Sequence, residues 1–355
     1  MKPNPAFRRS VLRAIEVPKQ NAQSLLRKLL SQHLVDRTMK TEKRGNAVLI
    51  PVRSAPAFDL GPFRARMEGD QSLPIRLTPR DPRQEIRERL RAAGIPVERA
   101  PRRWERIGDI LVLRLGPGEL KEARTIAEIF GTVLGARTVV QDVSGIHGPL
   151  RVPNVRVLWG NGTETVHVEG GIRYALDVAR VMFSSGNLAE RLGIADRVRA
   201  GAVVVDLFAG IGYFSLPIAV RSRAKTVYAC ELNPVSFQYL VKNTRLNRTT
   251  NLIPLFGDCR DVAPPRVADW VIMGHFDARE YLDVAFQTLR GKGTIVYHEL
   301  CPKEQYPDAL TRRLATAARA HWMNVGAIRT RIVKSYAPGI VHARAEVEVA
   351  RQTRP

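Results

Sequence analysis

The feature that most constrains this chain is an alternation that begins at residue 203. Strand-like apolar runs fall at 203–207, 226–231, 252–256, 270–273 and 294–298, with helical runs at 213–220, 234–246 and 278–289 between them. Antiparallel strands can be joined by two residues, whereas parallel strands need a crossover of a dozen or more, usually a helix. Strand and helix alternating at this spacing predict a mostly parallel sheet covered on both faces. The end breaks the pattern. Residues 328–335 and 341–349, separated by Pro338-Gly339, read as an antiparallel hairpin that closes the sheet.

The first strand of the series runs into Asp206-Leu207-Phe208-Ala209-Gly210-Ile211-Gly212 and opens a helix. Glycine suits a turn where a Cβ would keep the backbone away from a ligand. Alone, such a turn is common in βα units. The second strand ends in Glu231, 25 residues after Asp206, where an acid can accept from ribose hydroxyls. The third ends in Gly257-Asp258, placed for an adenine amino group. Three acids at the carboxyl ends of successive strands form one rim, where open α/β sheets bind ligands. As helix N-caps the same acids would be structural; together they favour an adenosine-containing ligand. The spacing D-x-x-x-G-x-G departs from the dinucleotide G-x-G-x-x-G, and there is no Walker A lysine. With the closing hairpin, S-adenosyl-L-methionine is the favoured ligand. The expected fold class is α/β, a class I methyltransferase-like Rossmann fold preceded by smaller α+β domains.

A length of 355 residues suggests two or three domains, and a 45% hydrophobic content excludes a disordered chain. The formal net charge is +22. A charge this large calls for a polyanionic partner, nucleic acid or an anionic membrane; adaptation of an arginine-rich proteome to salt or heat is the structural alternative. Residues 1–105 hold 23 of the Lys/Arg against 11 of the Asp/Glu, so the front third carries more than half of the excess. Arg8, Arg9, Arg13, Arg27 and Lys28 are candidates for phosphate contacts, each otherwise a surface charge. Cys230, Cys259 and Cys301 have no metal-ligand spacing, so no metal is expected, and three cysteines make a poor disulfide framework. A reducing cytoplasm is the default. Phe7-Arg8-Arg9-Ser10-Val11-Leu12-Arg13 is too charged for a secretory signal. The apolar stretch 202–220 is broken by Asp206, Gly210 and Gly212 and reads as strand, turn and helix rather than a membrane span. No obligate protein partner is called for.

Three domains are expected. Residues 1–85 form an α+β unit suited to gripping nucleic acid, with a helical run at 20–33, a strand at 46–52 and an Arg/Pro-rich linker. Residues 86–180 form a middle α+β domain with a strand at 108–113, a helix at 119–134 and a strand at 138–140. Its segments 155–160 and 164–168 read as a hairpin around Asn161-Gly162. Residues 181–355 form the Rossmann-like domain that binds S-adenosyl-L-methionine.

The stretch Val204-Val205-Asp206-Leu207-Phe208-Ala209-Gly210-Ile211-Gly212-Tyr213-Phe214-Ser215, with Glu231-Leu232-Asn233-Pro234, resembles a known group of tRNA-modifying enzymes. The group holds the archaeal and eukaryotic tRNA (guanine-N1) methyltransferases of position 37 and the tRNA wybutosine-synthesizing protein 2 family of aminocarboxypropyltransferases. The resemblance runs upstream through Thr163-Glu164-Thr165-Val166-His167-Val168-Glu169 and Asp177-Val178-Ala179-Arg180-Val181-Met182-Phe183-Ser184, and covers most of 106–350. Methyltransferases of the group usually carry Asn-Leu-Pro or Asn-Pro-Pro after the fourth strand; this chain has Met273-Gly274-His275-Phe276. With Ser184 through Glu190-Arg191, Tyr297-His298-Glu299 and Lys334-Ser335-Tyr336-Ala337-Pro338-Gly339, it looks like the aminocarboxypropyltransferase branch.

That resemblance implies transfer of the 3-amino-3-carboxypropyl group of S-adenosyl-L-methionine to a carbon of the 4-demethylwyosine base at position 37 of phenylalanine tRNA, with release of methylthioadenosine. It implies that Ser184, Arg191, Glu231, Asp258 and Cys259 surround the cofactor, Arg191 facing the methionine carboxylate and Cys259 contributing backbone. Asp206, Gly210, Gly212 and a pocket wall, Phe208, complete that set. Tyr174, Phe208 and Phe276 are candidates for stacking on a base. For proton transfer the rim offers His275, Asp277, His298 and Glu299, of which His298 and His275 are the catalytic candidates, and a structural role is open for each. N1-methylation of guanine 37 and a non-catalytic tRNA-binding protein are the alternatives.

Overall fold

The computed structural model describes residues 9–74, 81–116, 120–147, 151–183 and 185–352. The chain divides into two compact units, 1–84 and 85–355.

In the first unit, β1 (Arg9–Pro18) leads into α1 (Lys19–Ser31), followed by β2 (Glu42–Arg44), β3 (Ala47–Pro51) and β4 (Arg66–Pro74). The strands form a sheet of order β2-β3-β1-β4 with antiparallel pairings. Leu25 and Leu29, one helical turn apart on α1, share a core with Ile15, Val17, Ile50 and Val52. Arg13, Arg27 and Lys28 are exposed. The Lys28 ammonium sits 4.1 Å over the Phe58 ring, a cation–π contact. Arg8 and the Arg9 side chain lie outside the described residues.

The second unit opens within α2 (Pro82–Ala92), whose Ile86 and Leu90 pack against β6 (Ile110–Leu113) and α3 (Ala123–Leu134). With β5 (Trp104–Ile107), β7 (Thr138–His147) and β8 (Val152–Gly160), β6 makes a sheet of order β5-β6-β7-β8. The hairpin expected around Asn161-Gly162 does not form. Strand β8 pairs with β7, and β9 (Glu164–Glu169) pairs with β10 (Ile172–Asp177). A tight hairpin turn needs successive left-handed residues at its centre. Here Gly160 (φ 76°) and Gly162 (φ 72°) take that conformation and Asn161 between them does not. The Arg137 guanidinium donates to the Asn161 and Glu164 carbonyls and the Thr138 hydroxyl donates to Asn161, which holds the turn against β7.

The remaining elements are α4 (Leu188–Arg197), β11 (Val203–Asp206), α5 (Ser215–Arg221), β12 (Thr226–Glu231), α6 (Pro234–Leu246), β13 (Leu252–Phe256), α7 (Cys259–Val262), β14 (Ala268–Met273), α8 (Leu282–Thr288), β15 (Leu289–Pro302), α9 (Asp308–Ala320), β16 (Met323–Ala337) and β17 (Ile340–Arg351). Their sheet has the order β13-β12-β11-β14-β15-β17-β16. The first five of these strands run parallel, and β17 inserts antiparallel between β15 and β16. This is the expected class I methyltransferase-like Rossmann fold, and the closing hairpin turns at Pro338-Gly339 as expected. Alternate strand residues enter two cores. Val204, Ile272 and Val296 pack with Ile194, Leu216 and Leu240 on one face; Val205, Val271 and Ile295 pack with Phe286, Leu310 and Leu314 on the other. Each fully buried aliphatic side chain of this kind contributes about 1.5–3 kcal/mol. Among the described residues no helix is long and apolar enough to cross a membrane.

One buried amide ties the glycine turn to the rest of the unit. Asn243 on α6 accepts from the Ala175 amide and donates to the carbonyls of Ala175 and Ile211. Replacing it by alanine strands buried backbone groups, which costs about 1–3 kcal/mol for each. Asn243→Ala is expected to lose about 2–3 kcal/mol in denaturant unfolding; a loss below about 0.5 kcal/mol would contradict this pinning role.

Candidate active site

The carboxyl ends of β11, β12 and β13 bring the three predicted acids to one rim. Asp206 is fully buried and is used by its own turn: its carboxylate accepts from the Ser215 hydroxyl at 2.6 Å and the Phe208 amide at 3.2 Å. Burial pushes its carboxyl up to about 6, against those hydrogen bonds. Glu231 accepts from the Gly210 and Asn233 amides, both at 2.7 Å, so it clips the glycine turn of β11 to the start of α6. Burial raises Glu231 to about 7. Gly210 (φ 58°) and Gly212 (φ 103°) have left-handed backbones, and a Cβ on either would fall within 2.6 Å of the Tyr213 ring or of Leu216.

Asp258 follows Gly257 and caps α7, its carboxylate accepting from the Arg260 amide at 2.9 Å and from the Arg260 guanidinium. That guanidinium holds the Asp258 carboxyl below the usual carboxylate range. Cys259 is buried at the first position of α7, and burial pushes its thiol up to about 12. It is therefore not a thiolate, which suits a backbone role.

Phe208 begins an aromatic wall. Its ring stacks on His275 at 5.2 Å and meets Tyr281 edge-on at 5.0 Å. Arg260 in turn lies 5.2 Å over Tyr281. The wall thus joins the turn after β11, the loop after β14 and the end of β13. Tyr281 and Arg260 were not among the sequence candidates. Both come from segments with no motif of their own, and Arg260 lies only two residues past Asp258.

The other candidates separate. Arg191 is buried on α4, paired with Glu169 and lying 5.3 Å over the Phe183 ring. His275 is half-buried, its Nδ1 accepting from the Asp277 amide; burial, then Arg151, lowers its pKa. His298 is 1% exposed in the second half of β15, with Nδ1 3.0 Å from Nε2 of His342. Glu299 does not join the rim: it is held by Arg313 and the Tyr297 hydroxyl on the opposite sheet face. Tyr174 is 1% exposed and packs edge-on against Phe183, so its face is not open to a base. Phe276 lies between Arg151, Tyr336 and His342. Ser184 lies outside the described residues.

A cavity of about 810 Å³ opens elsewhere, against β9, lined by residues that include Arg106, Asp109, Arg137 and His167. The Arg106 donors are taken by the carbonyls of Gly108, Leu134 and Gly135, and Arg137 is paired with Asp109. The three acids of the rim are not part of its lining. Among the described residues no cluster of His, Cys, Asp and Glu could hold a metal ion.

Comparison with known proteins places this geometry. The family model for the TRM5/TYW2 methyltransferase domain matches residues 165–326, and that for the TYW2 N-terminal domain matches 86–163. The Pyrococcus horikoshii tRNA(Phe) (4-demethylwyosine(37)-C(7)) aminocarboxypropyltransferase is 37% identical over 255 residues, 71% of this chain and 91% of that protein. The chain belongs to the TYW2 branch of the TRM5/TYW2 family.

The crystal structure of P. horikoshii TYW2 in complex with MeSAdo superposes with a TM-score of 0.69 at 34% identity, covering 76% of this chain and all of that one. Trm5b from Pyrococcus abyssi superposes with a TM-score of 0.70 at 28% identity, covering 96% of this chain and 99% of that one. The tRNA methyltransferase 5 N-terminal domain matches residues 14–57, so this TYW2-branch chain carries a Trm5-type front end.

The raised acids fix a pH dependence. Between about pH 4 and 7 the folded chain keeps protons on Asp206 and Glu231 that an unfolded chain has lost, so folding stability falls as pH rises through that window. An ionised carboxylate accepts from a hydroxyl more strongly than a protonated one, so ligand binding at Glu231 is expected to run the other way. Calorimetric affinity for S-adenosyl-L-methionine is expected to rise from pH 6 to pH 8. Glu231→Gln is expected to weaken binding about 10–100-fold at pH 8, the loss of a hydrogen bond to a charged group, and to flatten the pH dependence. A pH-dependent Glu231→Gln variant would show that another group governs it.

Proposed function

We propose that this chain transfers the 3-amino-3-carboxypropyl group of S-adenosyl-L-methionine to a ring carbon of the 4-demethylwyosine base at position 37 of phenylalanine tRNA, releasing methylthioadenosine. The observation that carries this is the match over 91% of the P. horikoshii aminocarboxypropyltransferase, whose name specifies that base and its C7 atom. A cytoplasmic location goes with the same reading.

The rim residues fit S-adenosyl-L-methionine. Gly210 and Gly212 bring bare backbone to the strand ends, and Glu231 stands at the end of β12 as an acceptor for ribose hydroxyls. Phe208 and Tyr281 supply an aromatic wall for the adenine. Arg191 is assigned to the methionine carboxylate, its guanidinium oriented by Glu169 and by the Phe183 and Tyr213 rings. Ser184 is assigned to the same pocket by resemblance alone. The sulfonium makes each of its three attached carbons electrophilic. The protein selects among them by orientation, holding the reacting carbon in line with the acceptor and so lowering the entropic barrier.

The rim after β14 favours this transfer over N1-methylation. Gly274 has no side chain, and an added Cβ would lie 2.6 Å from the Phe214 ring. No side-chain amide reaches a base from this position, where the resembling methyltransferases carry asparagine. Retention of Asp206, Glu231 and Asp258 speaks against a non-catalytic tRNA-binding protein.

We assign residues 1–85 to a tRNA-holding domain, 86–180 to a middle domain and 181–355 to the catalytic domain. Residues 1–84 contain 17 Lys/Arg and 7 Asp/Glu. The TYW2 structure covers 76% of the chain and the Trm5b structure 96%. The difference approaches the length of the first unit, which we read as a tRNA-gripping module joined to a TYW2-type catalytic unit.

Two measurements test this. Incubation with 4-demethylwyosine-containing tRNA should release methylthioadenosine; S-adenosylhomocysteine as the released nucleoside would overturn the transfer reading in favour of methylation. Arg13→Glu combined with Arg27→Glu should raise KM for tRNA roughly 10-fold, leave the affinity for S-adenosyl-L-methionine unchanged and weaken the salt dependence of tRNA binding. An unchanged KM for tRNA would remove the first unit from tRNA contact.

A further inference from the structure

His298 and His342 form a buried pair whose outer nitrogens have no hydrogen-bond partner among the described residues. The two side chains are 1% and 4% exposed. Nδ1 of His298 lies 3.0 Å from Nε2 of His342. Nε2 of His298 and Nδ1 of His342 are both buried and unpartnered. A buried polar atom without a partner destabilises the fold, so two in one pair indicate a site kept for something other than stability.

The pair sits beside the acceptor rim. Register places Met273 opposite Tyr297, so His298 neighbours Gly274 at the carboxyl end of the sheet. The Phe214 ring, which fills the space beside Gly274, lies 5.5 Å from the His298 ring. His298 pairs with Arg344, and His342 with Leu300 and Lys334, which puts both histidines on the sheet face that carries Val296. Phe276 packs on His342 at 5.0 Å. The charged groups near the pair are Arg344, which faces His298, and Lys334 and Arg151, which face His342. Arg344 is balanced by Glu190 and Glu346. Burial and these cations hold His298 well below its ordinary pKa and bring His342 down to about 4. Both rings are therefore neutral at pH 7.

Two neutral imidazoles joined this way share one tautomer. If His298 donates from Nδ1, both rings are protonated at Nδ1 and Nε2 of His298 is bare. If His342 donates, both are protonated at Nε2. We infer that the His298–His342 pair receives the proton that the acceptor carbon loses, with Nε2 of His298 as the accepting atom and His342 as the positioning residue that holds the accepting tautomer. The inference rests on the transfer reading above. In that reaction a bond forms between the acceptor ring carbon and the γ-carbon of the aminocarboxypropyl group, while the bond from that carbon to sulfur breaks and its electron pair leaves on methylthioadenosine. The acceptor carbon then holds both its hydrogen and the new substituent. Its C–H electron pair restores the aromatic ring, and the proton goes to Nε2 of His298, shared with His342 across their contact. Arg151, Lys334 and Arg344 disfavour keeping that charge, so the proton passes to water once the product has left.

Nitrogen-15 resonances of the histidine rings in the ligand-free full-length protein should show both residues neutral at pH 7 and protonated at Nδ1. An imidazolium at pH 7, or both rings protonated at Nε2, would overturn the assignment. In steady-state kinetics His298→Gln should lower kcat about 100-fold with KM for tRNA and affinity for S-adenosyl-L-methionine within three-fold of wild type. It should also reveal a deuterium isotope effect with tRNA deuterated at the acceptor carbon. His342→Leu should match that loss, and His342→Gln, whose amide oxygen can accept from Nδ1 of His298, should recover most of the rate. A His298→Gln enzyme within three-fold of wild-type kcat, or one slowed without an isotope effect, would refute the role. Wild-type enzyme that forms no methylthioadenosine would instead refute the transfer reading beneath it.

Discussion

The Glu231 carboxylate, accepting from the amides of Gly210 and Asn233, sets the geometry on which the rest of the rim depends. It joins two βα turns that a parallel sheet otherwise leaves independent. Asp206 performs the same service within the first turn through Ser215 and Phe208. With both acids engaged, the glycine turn is a fixed platform, and Phe208 is fixed with it. Asn243 then anchors that platform from below through the Ile211 carbonyl. The binding site is thus organised before any ligand arrives, which reduces the ordering cost of binding.

The same economy explains why the catalytic unit tolerates so many buried charges. Glu190 and Glu346 both pair with Arg344 between α4 and the closing hairpin, and Arg191 with Glu169 forms a second buried pair. Pairs of this kind add little net stability, because desolvation offsets the attraction. They fix orientation instead. Here they hold α4 and β17 around the face where the histidine pair, Phe276 and the glycine turn meet.

Much of this was legible in the sequence. The parallel sheet followed from strand–helix spacing, and the hairpin from Pro338-Gly339 between two apolar runs. The three acids were visible because each lies at or just past the end of a strand. The β8–β9 hairpin was misread because a residue far upstream, Arg137, decides where that turn lies. Tyr281 and Arg260 escaped because their place in the aromatic wall arises only when three strand ends converge. Glu299 carried an unused signal: neighbouring strand residues face opposite ways, so His298 and Glu299 could not both address the rim. His342 lies 44 residues from His298 in the chain, and only the antiparallel return of β17 makes them partners.

The central claim is that this fold presents the aminocarboxypropyl carbon, not the methyl, to a tRNA base. Doubly labelled S-adenosyl-L-methionine, with one isotope in the methyl group and another in the carboxyl carbon, tests it most directly. The carboxyl label should enter the tRNA while the methyl label stays with the released nucleoside. Methyl label in the tRNA, with the carboxyl label left behind, would contradict the account.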